Sequence, residues 1–131
     1  MLPRKFNTTT KENRFMKWYD DCSERILLAY VNGSLRSHIV LPVLMYLVKH
    51  TGFVDSNAQF VKRTVRAIAQ DLNCSKSCVA AVLNELIDLG IIYKSKYGYS
   101  FIENMACKGN EHHRSRLKAV RQKIQGIATQ D

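Results

Sequence analysis

Proline is scarce, 2 in 131 residues, and acidic side chains are outnumbered, 11 Asp and Glu against 20 Lys and Arg. The shortage of proline beside 46% apolar residues excludes a disordered chain. Long hydrophobic runs are lacking too. The stretch from His38 to Val48 is apolar over about ten residues, where a bilayer span needs roughly 20. The first ten residues, MLPRKFNTTT, carry charge with no apolar stretch behind them, so no secretory signal is expected and a cytoplasmic location is. The common catalytic patterns are missing as well: there is no glycine-rich phosphate loop, no H-E-x-x-H, no G-x-S-x-G and no paired-carboxylate spacing. An enzyme is therefore not expected, and no catalytic residue or cofactor is assigned.

Four cysteines, Cys22, Cys74, Cys78 and Cys107, read as reduced thiols in a chain without a signal peptide. Cys78 falls beside an apolar stripe, and a partly buried position is expected for it. Cys74 and Cys78, or Cys107 with His112 and His113, offer soft ligands. Zinc sites built on cysteine use tighter pairs held in turns, so no metal is expected. Cys107 with either histidine is also the arrangement of a nucleophile and its base, but solvated histidines are the simpler reading.

What the sequence does have is positive charge, a formal net +9 in a length that suits one domain. Such an excess calls for an anionic partner, nucleic acid first and a membrane surface second. Residues Thr64 to Gly90 suggest how nucleic acid is met. Val65, Ile68, Ala69 and Leu72 recur at helical spacing behind Thr64, a suitable N-cap. The pattern stops at Asn73, a residue that tolerates the left-handed conformation at a helix end, and Ser75 can cap a second helix. That helix places Val79, Val82, Leu83, Leu86 and Ile87 on one face and Lys76, Ser77, Ala80, Ala81 and Asn84 on the other. Ala69 supplies the small side chain that a steep helix crossing needs. An ordinary helical hairpin would share these features, but the residues that follow point further. Ile91 to Ser95 and Tyr99 to Ile102 flank a Lys96-Tyr97-Gly98 turn, a hairpin signal with a basic tip.

Two helices followed by such a hairpin are the order of a winged helix-turn-helix. The expected fold is mainly α with a small β-hairpin wing and additional helices at both ends, all within one domain, 1–131. It divides into a polar arm over residues 1–8, an N-terminal helix over 9–32, a winged-helix core over 35–102 and a basic C-terminal helix over 111–125.

In the N-terminal helix Phe15, Trp18, Tyr19, Cys22, Ile26, Leu27 and Tyr30 share one side. This stripe either covers the domain's own core or meets a second subunit. The segment from Leu35 to Thr51 is apolar nearly all round, so the most buried helix is expected there, starting or kinking near Pro42. Residues 53–59 and 103–110 read as loops, and Phe60-Val61-Lys62 as a short strand joining the hairpin. In the last helix Leu117, Val120 and Ile124 form a narrow stripe suited to the N-terminal helix. Between Lys94 and Lys123 eight basic residues (Lys94, Lys96, Lys108, Arg114, Arg116, Lys118, Arg121, Lys123) face two acidic ones, Glu103 and Glu111. That basic side suits nucleic acid or acidic lipid.

The run TVRAIAQDLNCSKSCVAAVLNELIDLGII, the short wing YKSKYGYSFIEN and the following CKGNEHHRSRLKAV resemble the winged-helix replication proteins of small plasmids, the RepL type, and more loosely MarR-like transcription regulators. The resemblance covers about Leu44 to Leu117 and departs from the usual pattern at Asn73, where such turns carry glycine. It implies a protein that binds a specific double-stranded DNA site, either an origin of replication or its own promoter. Ser75, Lys76, Ser77, Ala80, Ala81 and Asn84 are the expected base-reading residues, and Lys62, Arg63, Thr64, Arg66, Lys94, Lys96 and Tyr97 the expected backbone and wing contacts. Paired half-sites imply a homodimer, with Phe15, Trp18, Tyr19, Ile26, Leu117, Val120 and Ile124 as candidate contacts. The replication or transcription machinery is a further expected partner, and a membrane is not. The alternatives are a module of the same fold that binds protein through the aromatic stripe, or RNA through the basic tail.

Overall fold

The structure, a computed structural model, describes residues 16–55, 58–109 and 111–126. The expected arm over 1–8, Phe15 and the first residues of the expected N-terminal helix lie outside them.

The described chain opens as a strand, β1 (Met16–Trp18), and enters helix α1 at Asp20–Val31. The helix expected over 9–32 is corrected at Met16 to Tyr19. Met16 to Trp18 pair antiparallel with β6 (Ala106–Lys108), and the Tyr19 amide donates to the Met105 carbonyl at 3.0 Å. A partner some ninety positions away in sequence outweighs the local helical spacing, as it commonly does for aromatic residues. Asp20 and Asp21 then fill the first turn of α1, where the helix dipole favours negative charge. The same pairing corrects the loop expected over 103–110.

Helix α2 spans Val40–His50 and starts five residues later than the segment that foreshadowed it. Pro42 sits in its first turn, where a missing N–H leaves no helical bond unmade. Leu35 and Ile39 are buried in the irregular approach to it. Val40, Val43, Leu44, Tyr46 and Leu47 are buried, which makes α2 the most buried of the helices among the described residues as expected, though Leu41 and Met45 stand in solvent.

From Thr51 the chain forms β2 (Thr51–Asp55) and β3 (Ala58–Val61), an antiparallel pair that replaces the loop expected over 53–59. The helix stops at His50, and Gly52 lies inside β2 opposite Phe60. Helices α3 (Val65–Leu72) and α4 (Lys76–Asp88) follow, then the hairpin β4 (Ile92–Ser95) and β5 (Gly98–Phe101). β3 joins β5 through Val61 and Tyr99, so the strand expected near Phe60 does extend the hairpin, giving a sheet of order β2-β3-β5-β4. Helix α5 (Glu111–Gln125) ends the described chain.

With five helices and six strands in two small antiparallel sheets among the described residues, this is a mixed helix-and-strand domain, still richest in helix but with more strand than a single hairpin. Its layering follows from the alternation of side chains along the strands. Val61, Ile92, Tyr99 and Phe101 join the main core with the buried sides of α1 to α4, whereas Ala58, Phe60 and Tyr93 form a second cluster. Val120 and Ile124 of α5 cover that second cluster, and Leu117 is buried nearby. Helix α5 therefore packs on the sheet and not on α1, as its narrow stripe had suggested. Gln59 ties the two sheets together: its side-chain amide donates to the Lys108 carbonyl at 2.7 Å and its oxygen accepts from the Lys108 amide at 3.0 Å.

Candidate nucleic-acid interface

The turn between α3 and α4 is built by three side chains. Thr64 Oγ1 accepts from the Ala67 amide at 3.1 Å and starts α3. Asn73 ends it at φ 56°, ψ 46°, which lets its own amide and that of Cys74 reach the Gln70 and Ala69 carbonyls. Ser75 Oγ then accepts from the Cys78 amide at 3.1 Å and starts α4. Ala69 is buried, as a close approach of the two helices requires. Cys78 turns to solvent, correcting the expectation of partial burial, and Cys74 is the thiol that packs on the core.

This cap geometry fixes which side of α4 faces outward. Val79, Val82, Leu83 and Leu86 are buried, so Lys76, Ser77, Ala81 and Asn84 are exposed on the opposite side, with Ser75 exposed ahead of them and Ala80 half-buried at the margin. The six candidate base-reading residues thus lie at the N-terminal end and on one side of a single helix, all short or flexible side chains with no carboxylate among them.

The hairpin is held at a fixed place beside the start of α3. Ser95 Oγ accepts from the Tyr97 amide at 3.0 Å and donates to the Gly98 carbonyl at 3.2 Å, closing the turn. Gly98 has φ 124°, and a Cβ there would run into the Val61 carbonyl oxygen, so the tip lies directly on the end of β3. There the chain leaves the sheet as Lys62-Arg63-Thr64, all exposed. Phe60 and Tyr97 meet at 5.6 Å between ring centroids, while the Lys94 and Lys96 ammonium groups lie 5.8 and 5.2 Å from the Tyr99 and Tyr97 centroids. Lys62, Arg63, Lys96 and Tyr97 are therefore brought to one edge, with Arg66 exposed on the adjoining helix. Arg63 also approaches His50, Nη2 to Nδ1 at 3.5 Å. Burial, then repulsion by Arg63 and Lys49, hold the His50 imidazole below its usual range and so neutral at physiological pH.

Other basic residues are used within the chain. Lys108 Nζ donates to the Thr51 carbonyl at 2.7 Å, and burial lowers its affinity for a proton. Arg114 donates to Asn104 at 2.6 Å and lies 4.8 Å from the Tyr19 ring centroid. Arg121 grips Glu103 through two bonds of 2.7 and 2.9 Å, and Glu103 is only 1% exposed. Burial alone would raise the Glu103 carboxyl, but the Arg121 guanidinium holds it below the usual range.

The candidate dimer contacts are also partly used inside the chain. Ile26 packs on the core, Trp18 meets Phe101 edge-on at 5.5 Å, Val120 and Ile124 cover the sheet, and Leu117 is buried. What α1 shows to solvent instead is Leu27, Leu28 and Val31, at 64, 55 and 83% exposure. Leu27 and the exposed Tyr30 belonged to the stripe read from the sequence, but Leu28 and Val31 were missed, as were Gln59, Glu103 and the bond of 2.5 Å that Tyr46 donates to Asp71 between α2 and α3. The available signal for Gln59 and Glu103 was chemical isolation, a lone amide in an apolar strand and one of only two acids among eight basic residues between Lys94 and Lys123.

Taken together, a capped helix pair with a polar outer face and a strand hairpin with a cationic tip lie in one small basic domain. No family model, curated protein or solved structure matches the chain.

Proposed function

We propose that the chain is a winged helix-turn-helix protein that binds double-stranded DNA at a specific sequence, as a homodimer, at an origin of replication or at its own promoter. In this reading α3 and α4 are the helix-turn-helix and β4–β5 is the wing. The observation that carries it is the outer face of α4, where Lys76, Ser77, Ala81 and Asn84 stand exposed behind a capped N-terminus. A major groove admits one helix presented in this way. Asn84 suits adenine edges, Lys76 suits guanine or phosphate, the methyl groups of Ala80 and Ala81 suit thymine methyls, and Ser75 and Ser77 add hydroxyls. Lys62, Arg63, Thr64, Arg66, Lys94, Lys96 and Tyr97 supply backbone contacts, which set register without reading sequence.

The homodimer rests on α1. Leu27, Leu28 and Val31 form an apolar strip of the kind that marks an interface. Asp20, Asp21 and Glu24 lie exposed at one end of α1, and Arg36 lies exposed beyond the other. A second copy laid antiparallel brings these opposite charges together, which a two-fold axis does at both ends at once.

The double variant Lys76→Ala, Asn84→Ala tests the base-reading role. Its affinity for the recognised site should fall by about 10- to 100-fold, at roughly 1–3 kcal/mol per good base contact, with much less change on random duplex. Equal losses on both would remove α4 from base reading.

A further inference from the structure

Helix α5 carries a charged flank beside the hairpin. Lys123 and Ile124 form one wall of a groove whose other wall is Ser95, Lys96 and Tyr97 of the β4–β5 hairpin. Two ammonium groups from elements distant in sequence thus border one channel, beside a ring that is 49% exposed. None of the described side chains lining it is acidic. Arg116 lies on the same flank of α5 as Lys123, two turns earlier and about 10 Å along the axis. Lys118 lies on the opposite flank, exposed.

We infer that this groove takes the phosphodiester backbone of duplex DNA beside the segment read by α4, so that the footprint runs past the hairpin and onto α5. A cation on each wall of a groove suits a strand of phosphates passing between them, and Tyr97 can pack against sugar. Lys96 belongs to both surfaces, which makes the groove a continuation of the proposed interface and not a separate patch. The inference rests on the duplex-binding reading.

The test is a salt titration of binding to a random-sequence duplex of about 30 base pairs, roughly three helical turns. Wild type is compared with Lys123→Ala, Lys123→Arg and Lys118→Ala. Lys123→Ala should flatten the plot of log affinity against log salt by about 0.9, the amount expected when one phosphate is no longer neutralised. Lys123→Arg should keep the wild-type slope, and so should Lys118→Ala on the far flank. A Lys123→Ala slope equal to wild type overturns the inference, as does an equal fall for Lys118→Ala, which would make the charge diffuse. Phosphatidylserine vesicles are the second probe: loss of vesicle retention by Lys123→Ala with an unchanged duplex slope assigns the groove to lipid and also overturns it. Wild type without salt-dependent duplex affinity sinks the functional reading along with this one, whereas a binding wild type with an unmoved variant sinks this one alone.

Discussion

Asn73 occupies left-handed backbone space, where a non-glycine residue is disfavoured by roughly 1–2 kcal/mol. Its short polar side chain makes it one of the few that tolerate the position. Asn73→Gly should hold or slightly raise the melting temperature, while Asn73→Val should lower stability by about 1–2 kcal/mol. An unchanged melting curve for the valine variant would mean that the turn is not fixed as described. Glu103 and Arg121 make the second residue-scale case. Removing Arg121 leaves a buried carboxylate alone, and Arg121→Ala should cost about 3–5 kcal/mol at neutral pH. Because Arg121 holds the Glu103 carboxyl low, the pair stabilises the fold fully above the unfolded carboxyl value of about 4.3. That contribution is lost as pH falls through the lower folded value. In the variant Glu103 is neutralised more readily, so denaturation at neutral and at mildly acidic pH should show the gap narrowing toward acid. A gap that widens toward acid would contradict the assigned pairing.

At the scale of elements, legibility followed sequence distance. The caps at Thr64 and Ser75, the reversal at Asn73, both faces of α4, the hairpin turn and the span of α5 could be read because each depends on residues a few positions apart. What could not be read depends on remote partners. Met16 to Trp18 form a strand because Ala106 to Lys108 lie beside them, and β2 forms because β3 returns against it. The side of α1 that faces solvent was misjudged for the same reason: with Trp18 and Tyr19 outside the helix, the stripe that seemed continuous from Phe15 to Tyr30 is divided. Cys22 and Ile26 turn inward, and Leu27, Leu28 and Val31 turn outward. The proposed dimer rests on this one element. Leu27→Asp with Val31→Asp, both at exposed positions, should leave the fold intact and shift sedimentation from dimer to monomer. A wild type that sediments as a monomer at all protein concentrations would remove the dimer.

At the scale of the whole molecule the formal charge of +9 divides into structural and outward-facing parts. Lys108, Arg114 and Arg121 hold the C-terminal third together, whereas Lys62, Arg63, Arg66, Lys76, Lys94, Lys96 and Lys123 are exposed on the elements around the hairpin and the helix pair. The raw count between Lys94 and Lys123 could not separate these uses, because the carbonyl and carboxylate partners of the structural three become neighbours only on folding. Replacing both Lys94 and Lys96 by Ala should weaken specific and random duplex alike and flatten the salt slope by about one unit for each phosphate left without its lysine. An unchanged slope would take the hairpin off the DNA.

The most direct measurement is selection from a pool of random duplex DNA at near-physiological salt, with sequencing of what the protein retains. The account predicts a two-fold symmetric motif with half-sites spaced by whole helical turns, one helix α4 to each half. Retention of duplex with no common motif would contradict it, reducing the basic surface to non-specific attraction and directing the search to a protein or RNA partner.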